Sequence, residues 1–236
     1  MNIIFSEMLV HQLENELDAA KKIDVEELAE EIHRKGFNCL MCGKCCRREF
    51  GDNRVAVMPQ EIRNIQKGSK LTLDDIAEPF NIEAETFEEK CLFHEESGMV
   101  DEKGYIHTFG WMLRRKKNND CIFIPDDRTN NRCSIYGMRP LLCSTYPFYM
   151  EGLKLRTSEC EGLGKNIRLQ KSRELAGRVL ERYLCELKDI ILTYKNYDAF
   201  IKGDKGQVIA QSGLKQGYLN YIVHNSEGIC RITKKI

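Results

Sequence analysis

The chain has 236 residues, enough to bury a core without crosslinks, and suits one large domain or one domain with helical extensions. Lysine plus arginine and aspartate plus glutamate each total 36, so no net field steers the protein toward nucleic acid or an anionic membrane. Charged residues make up 31% and apolar ones 42%, and no run approaches the roughly 20 apolar residues of a spanning helix. The opening stretch, "MNIIFSEMLVHQLENELDAAKK", has neither a basic n-region nor a small-residue cleavage site and reads as an amphipathic helix. A cytoplasmic protein with reduced thiols is therefore expected. Eleven cysteines, an odd number, also disfavour a closed disulfide framework.

Residues 1–36 read as helical: Ile23, Val25, Leu28 and Ile32 recur at helical spacing and Gly36 offers a stop. "GFNCLMCGKCCRREFGDN" follows as a glycine-flanked loop or broken helical turn. "RVAVMP" resembles a short strand feeding the helix "PQEIRNIQKG", with Pro59 suited to its first turn. "LTLDDIAEPF" predicts another short helix with Thr72 as N-cap. "GYIHTFGWMLRRKKNNDCIFIP" predicts two strands joined at Asn118-Asn119-Asp120. "CSIYGMRPLLCSTYPFYMEGLKLRT" predicts a short helix and then a strand. From about Lys165 to Lys202 the residues Leu175, Val179, Tyr183, Leu187, Ile190, Ile191 and Tyr194 share one helical face, which predicts a long helix, broken at most once, that caps the cysteine region. The stretch from Gly203 is rich in glycine and polar residues and yields no assignment.

The fold class expected is α+β: mostly helical, with a small irregular cysteine-rich metal-binding core and a short antiparallel hairpin, capped by a long C-terminal helix. Four parts are expected: an N-terminal helical segment over 1–36, a cysteine-cluster domain over 37–165, the long helix over 166–202 and a tail over 203–236.

The segment "CLMCGKCC" at 39–46 carries the chemistry. Cys39, Cys42 and Cys45 form C-x2-C-x2-C, a spacing that lets one loop fold around one centre with three sulfurs converging. A ferredoxin-type [4Fe-4S] cluster uses such a run plus a fourth cysteine from elsewhere, and Gly43 fits a zinc knuckle equally well. In extended chain, neighbouring side chains point opposite ways, so Cys45 and Cys46 are expected to be poor co-ligands of one ion and better suited to two neighbouring centres. Cys121, Cys133, Cys143 and Cys160 bring the total to eight, enough for two four-cysteine sites. Free cysteine also packs as a small hydrophobe, and that reading is expected for Cys185 and Cys230. Cys91 with His94 could chelate zinc, but its acidic surroundings favour a structural role.

"CLMCGKCC", "DCIFI", "CSIYGMRPLLCSTYPF" and "CEGLGK", in this order, resemble the CxxCxxCC zinc- or iron-chelating family, often called YkgJ-type cysteine cluster proteins. The resemblance covers roughly Phe37 to Lys165. It implies metal ligation by Cys39, Cys42, Cys45, Cys46, Cys121, Cys133, Cys143 and Cys160, with iron–sulfur or zinc as the bound group. A similar cysteine domain in flagellin lysine N-methylases adds protein methylation to the implied activities. The chain departs from the family pattern at Ser144, where arginine is usual, and at Glu161, where proline is usual. Arg139, which matches, could hydrogen-bond near the cluster sulfurs or make a surface ion pair.

Other chemistries fail on single residues. A radical S-adenosylmethionine motif read from Cys42 is broken by Glu49. A phosphate loop at "GLGKN" is broken by Glu159 and Asn166, and no strand runs into GxGxxG. "RRKK" at 114–117 reads as a solvated strand end, His107 and Trp111 as hairpin packing, and Asp126 and Asp127 as a polar turn. Three function classes remain. The expected one holds one or two iron–sulfur clusters, most naturally [4Fe-4S], in a redox or cluster-dependent role. The others are a structural zinc module for protein contacts and a cluster-bearing protein-lysine N-methyltransferase using S-adenosylmethionine. All eight candidates are sulfur, which leans toward iron–sulfur over zinc. The partner or substrate expected is a protein, and neither nucleic acid nor membrane is expected as a partner.

Overall fold

The computed structural model describes residues 3–80 and 99–235, so Cys91 and His94 lie outside the described residues. The fold is α+β. Two helices open it, α1 (Ile3–Ala20) and α2 (Val25–Lys35). Asp24 caps α2 by accepting a 2.8 Å hydrogen bond from the Glu26 N–H, the arrangement that satisfies an otherwise orphaned helix donor. Gly36 ends α2 at φ 67°, and its N–H donates to the Ile32 carbonyl, so the expected glycine stop is where the helix stops. A side chain there would meet the Lys165 carbonyl oxygen at 2.6 Å. That close approach is what lets the chain after α2 run against residues 162–165, tied by Phe37 bridging Leu163 and by the Asn38 N–H on the Gly162 carbonyl at 3.0 Å.

After the cysteine loop come β1 (Ala56–Val57) and α3 (Pro59–Ser69), with Pro59 in the first turn as expected. The short α4 (Leu73–Ile76) begins at Thr72, whose N–H and hydroxyl both donate to Asp75. It leads into β2 (Ala77–Pro79). The strands β3 (Ile106–Phe109) and β4 (Trp111–Leu113) follow, separated by Gly110 at φ 79°. Both lie in the first of the two strands expected over 104–125, and that segment does not pair as a hairpin across Asn118-Asn119-Asp120. Instead β4 pairs antiparallel with both β1 and β2, while β3 joins a different sheet. Only an isolated Arg115–Cys121 bridge spans the polar turn, because Phe123 and Ile124 turn into the core rather than continue a strand. The basic run is tied down as well: Arg114 donates to the Asp74 carbonyl and Lys116 pairs with Asp126 at 2.6 Å. Asp127 accepts from Thr129 in the expected polar turn.

A short α5 (Leu141–Thr145) leads into β5 (Phe148–Glu151) and β6 (Lys154–Thr157), which make the short antiparallel hairpin of the fold. The long α6 (Leu169–Lys195) is unbroken. It buries Ala176, Val179, Leu180, Tyr183, Leu187 and Ile191, while Ile190 faces outward. Ala176, Val179, Leu180, Tyr183 and Leu187 pack with α1, α2 and the β5–β6 hairpin into a helical core. The helix therefore caps the cysteine region only loosely: Arg182 donates to Thr145 on α5, and the first turns of α6 face the start of the cysteine loop across a groove.

The unassigned tail is ordered. It holds α7 (Asp204–Lys215), β7 (Tyr218–Asn225) and β8 (Gly228–Lys235). β7 pairs antiparallel with β8 and parallel with β3, giving the order β3-β7-β8. Here His107 and His224 are both buried and share a 2.8 Å hydrogen bond between Nδ1 and Nε2, with Phe200 stacked on His107. Burial, and then the neighbouring His107, hold the pKa of His224 down at about 4, so the pair is neutral at physiological pH. A second core cluster lies on this side of the molecule. It includes Trp111, Phe123, Ile124 and Cys121, with Cys46, Cys133 and Cys143 packed against it.

Candidate metal centre

Gly43 at φ 75° turns the cysteine loop into a 3-10 turn over Lys44–Cys46, and its carbonyl accepts from the N–H groups of Cys46 and Arg47 at 2.9 and 3.1 Å. In that turn successive side chains diverge by about 120° instead of the 180° of a strand. The sulfurs of Cys45 and Cys46 accordingly stand 3.9 Å apart. Two thiolates on one tetrahedral zinc, at a zinc–sulfur length of about 2.3 Å, would stand about 3.8 Å apart. The premise of extended chain thus does not hold, and these two neighbours can serve one centre or bridge two.

Arg47 fixes the turn from below. Its guanidinium is buried and donates to Asp120 Oδ2 at 3.2 Å, to the Pro125 carbonyl at 2.8 Å and to Asn131 Oδ1 at 3.2 Å. Asn53 adds hydrogen bonds to the carbonyls of Cys46 and Asn119, and the Cys121 N–H donates to the Cys46 carbonyl at 2.9 Å. The loop 119–131 is thereby held against the cysteine turn and delivers Cys121 beside Cys46. From the other side Glu61 bridges the Met58 and Leu141 N–H groups at 2.9 and 2.7 Å, which ties α3 to the start of α5 and so places Cys143. Cys160 follows the β5–β6 hairpin, and its sulfur accepts a 3.4 Å hydrogen bond from the Gly162 N–H. Gly162 has no room for a side chain, since a Cβ would lie 2.4 Å from the Asn38 carbonyl oxygen.

All eight cysteines singled out above, Cys39, Cys42, Cys45, Cys46, Cys121, Cys133, Cys143 and Cys160, line one cavity of about 170 Å³. Its wall is largely apolar, with Phe123, Tyr136 and Tyr146 among the contributors, and contains no histidine among the described residues. Arg139 lines the same cavity, stacked 3.8 Å over the Tyr136 ring, and makes no ion pair among the described residues. Cys185 on α6 and Cys230 on β8 are half-buried and do not line it; Cys230 packs against the core instead. All ten described cysteines are free thiols. Among the described residues no three His, Cys, Asp or Glu side chains already stand in a metal-holding arrangement, so the thiols share a cavity rather than a finished coordination sphere.

Burial and mutual repulsion raise several of these thiols. Cys160 is pushed up by burial and then by Cys45, Cys39 and Cys42. Cys143 is pushed well up by burial and then by Cys121, Cys45 and Cys133. Cys121 rises to about 11 through burial, and Cys45 rises far above the ordinary thiol range through its contact with Cys46 and then burial. Arg139 acts in the opposite direction on Cys45, Cys133 and Cys143. A low-dielectric cavity cannot hold several bare thiolates, so these groups are protonated until a cation arrives. Loading such a site releases protons.

The donor set is soft and uniform, which suits zinc, iron–sulfur or other thiophilic metals and disfavours magnesium or calcium. The volume is near the roughly 150 Å³ that accommodates benzene in an engineered protein cavity, so a compact group of several atoms has room. The residues fit such a group. A family model, CxxCxxCC, described as "Putative zinc- or iron-chelating domain", matches residues 38–161, more than half of the 236-residue chain. The chain belongs to the CxxCxxCC family. The matched span contains every cysteine of the cavity and excludes Cys185 and Cys230. No solved structure matches the chain, and none of the described helices is long and apolar enough to cross a membrane. What reading of the CxxCxxCC motif alone missed is the scaffold: Arg47, Asn53 and Glu61 carry no spacing signal, and only the position of Arg47 directly after two cysteines hinted at it.

Proposed function

We propose that the thiol cavity holds iron–sulfur, with Cys39, Cys42, Cys45, Cys46, Cys121, Cys133, Cys143 and Cys160 as the ligand pool and electron transfer or cluster-dependent catalysis as the role. The observation that carries this reading is eight cysteine sulfurs, with no histidine among the described residues, around one largely apolar cavity. Eight thiols suffice for two adjacent four-cysteine sets, and the neighbouring Cys45 and Cys46 could be shared between them. When bound, a cluster would supply a reversible one-electron centre, and its potential would respond to hydrogen bonds at sulfur and to burial. The Gly162 N–H on Cys160 and the Arg139 guanidinium are the residues placed to exert that influence.

A structural zinc site is the second reading, favoured by the 3.9 Å separation of Cys45 and Cys46, which matches a tetrahedral thiolate pair. One preparation separates the two. Protein purified without oxygen should show broad visible absorbance with iron and inorganic sulfide in equal amounts, about four of each per [4Fe-4S] cluster. A colourless protein with stoichiometric zinc and no sulfide would replace the iron–sulfur reading with the zinc one.

A further inference from the structure

A second concavity adjoins the thiol cavity. Phe37, Asn38 and Cys39 form one wall, the start of α6 forms the other, and its volume is about 500 Å³. That size falls within the range of about 300–1,000 Å³ typical of small-molecule sites. Cys39 and Phe37 line both cavities, so the two are neighbours through a single residue layer.

Arg168, Lys171 and Arg178 line this groove, and their spacing of three and seven residues puts them on one helical face. None of the three side chains has a hydrogen-bond or ion-pair partner among the described residues. Three other cations of the same helix are matched: Arg173 pairs with Glu26 at 2.8 Å, Arg182 with Glu186 at 2.7 Å and Lys195 with Glu14 at 2.6 Å. The one acid in the groove, Glu174, accepts a hydrogen bond from Gln170 at 3.2 Å. A chain of zero net charge thus concentrates an excess of two positive charges in one hollow. Apolar contacts come from Phe37, Ile167 and Leu175. The wall opposite the helix is stiff, because the backbone of 36–38 is bonded to that of 162–164 and neither Gly36 nor Gly162 has room for a Cβ.

We propose that this groove binds a small phosphorylated molecule. Its phosphate would sit on Arg168, Lys171 and Arg178 and its apolar body against Phe37, Ile167 and Leu175, at the edge of the metal cavity beside Cys39. Two arginines favour phosphate, since a guanidinium meets it with two parallel hydrogen bonds and the dianion matches the local excess charge. A concave site with only three cations is too small and too local for a nucleic acid or an anionic bilayer, which need extended positive surfaces.

Phenyl phosphate, which carries both features, is the probe. Titration calorimetry of the full chain as purified, at low ionic strength, should show saturable one-site binding that weakens as salt is added. The triple variant Arg168→Gln/Lys171→Gln/Arg178→Gln changes three exposed side chains without partners among the described residues, so its melting curve should be unchanged while its affinity falls at least tenfold. Absence of saturable binding to the wild type, or equal affinity in the triple variant, overturns the proposal. So does binding to anionic phospholipid vesicles without binding of phenyl phosphate, which would turn the patch into a surface contact.

Discussion

Replacing Arg47 by methionine should lower the stability of the protein by about 3–5 kcal/mol, the usual consequence of removing one partner from a buried ion pair. The Arg47 side chain is 3% exposed and that of Asp120 is 7% exposed, so the carboxylate left behind cannot recover its hydration. For a domain of this size each kcal/mol shifts the melting temperature by roughly 2–4 °C, and the loss should be visible as a fall of roughly 6–20 °C. The double variant Arg47→Met/Asp120→Leu separates causes. A buried pair exchanged for apolar side chains is often near neutral, so the double variant should regain most of the loss. A double variant as unstable as the single one would mean that the bonds from Arg47 to Pro125 and Asn131, and not the stranded carboxylate, dominate. Either way the damage lies under Cys46, so metal retention should fall with stability.

Stripping the metal should affect the two cores unequally. A structural four-cysteine site can contribute about 10–16 kcal/mol of apparent binding free energy in small peptides, against a whole-domain stability of about 5–15 kcal/mol. The helical core of α1, α2, α6 and the β5–β6 hairpin contains none of the cavity cysteines, whereas Cys121 belongs to the other cluster and Cys46, Cys133 and Cys143 pack on it. After chelation the loops around 37–54 and 114–140 should become cleavable by protease while far-ultraviolet circular dichroism retains most of its helical signal. Identical melting curves and identical cleavage patterns before and after chelation would remove the metal from the account of stability.

The parts of the fold that were legible in the sequence are those set by local rules. The glycine stop at Gly36, the proline at 59, the cap at Thr72 and the apolar face of α6 each depend on residues a few positions apart. The parts that were not legible depend on distant pairing. β3 reads as half of a hairpin, yet its partner is β7, more than a hundred residues later and parallel, and no local pattern encodes that choice. β8 alternates exposed residues, Ile229, Arg231, Thr233 and Lys235, with half-buried ones, but its Lys and Arg positions hid the strand inside a polar tail. In the site, the eight thiols were legible through their spacing and order. The relation between Cys45 and Cys46 was not, because it depends on whether Gly43 opens a helical turn or an extended loop, and the 3-10 turn brings their sulfurs together. The buried contacts of Arg47 were invisible for the same reason as the β3–β7 pairing: Asp120, Pro125 and Asn131 are distant in sequence.

The central claim is that the cavity thiols hold the metal and the remaining cysteines do not. Metal content per chain, measured on Cys42→Ser, Cys143→Ser and Cys185→Ser beside the wild type, tests it most directly. The account predicts that Cys42→Ser and Cys143→Ser each lose much of the bound metal, whereas Cys185→Ser, a half-buried position on α6 outside the cavity, retains the wild-type amount. Equal losses in all three variants, or none in the first two, would contradict it.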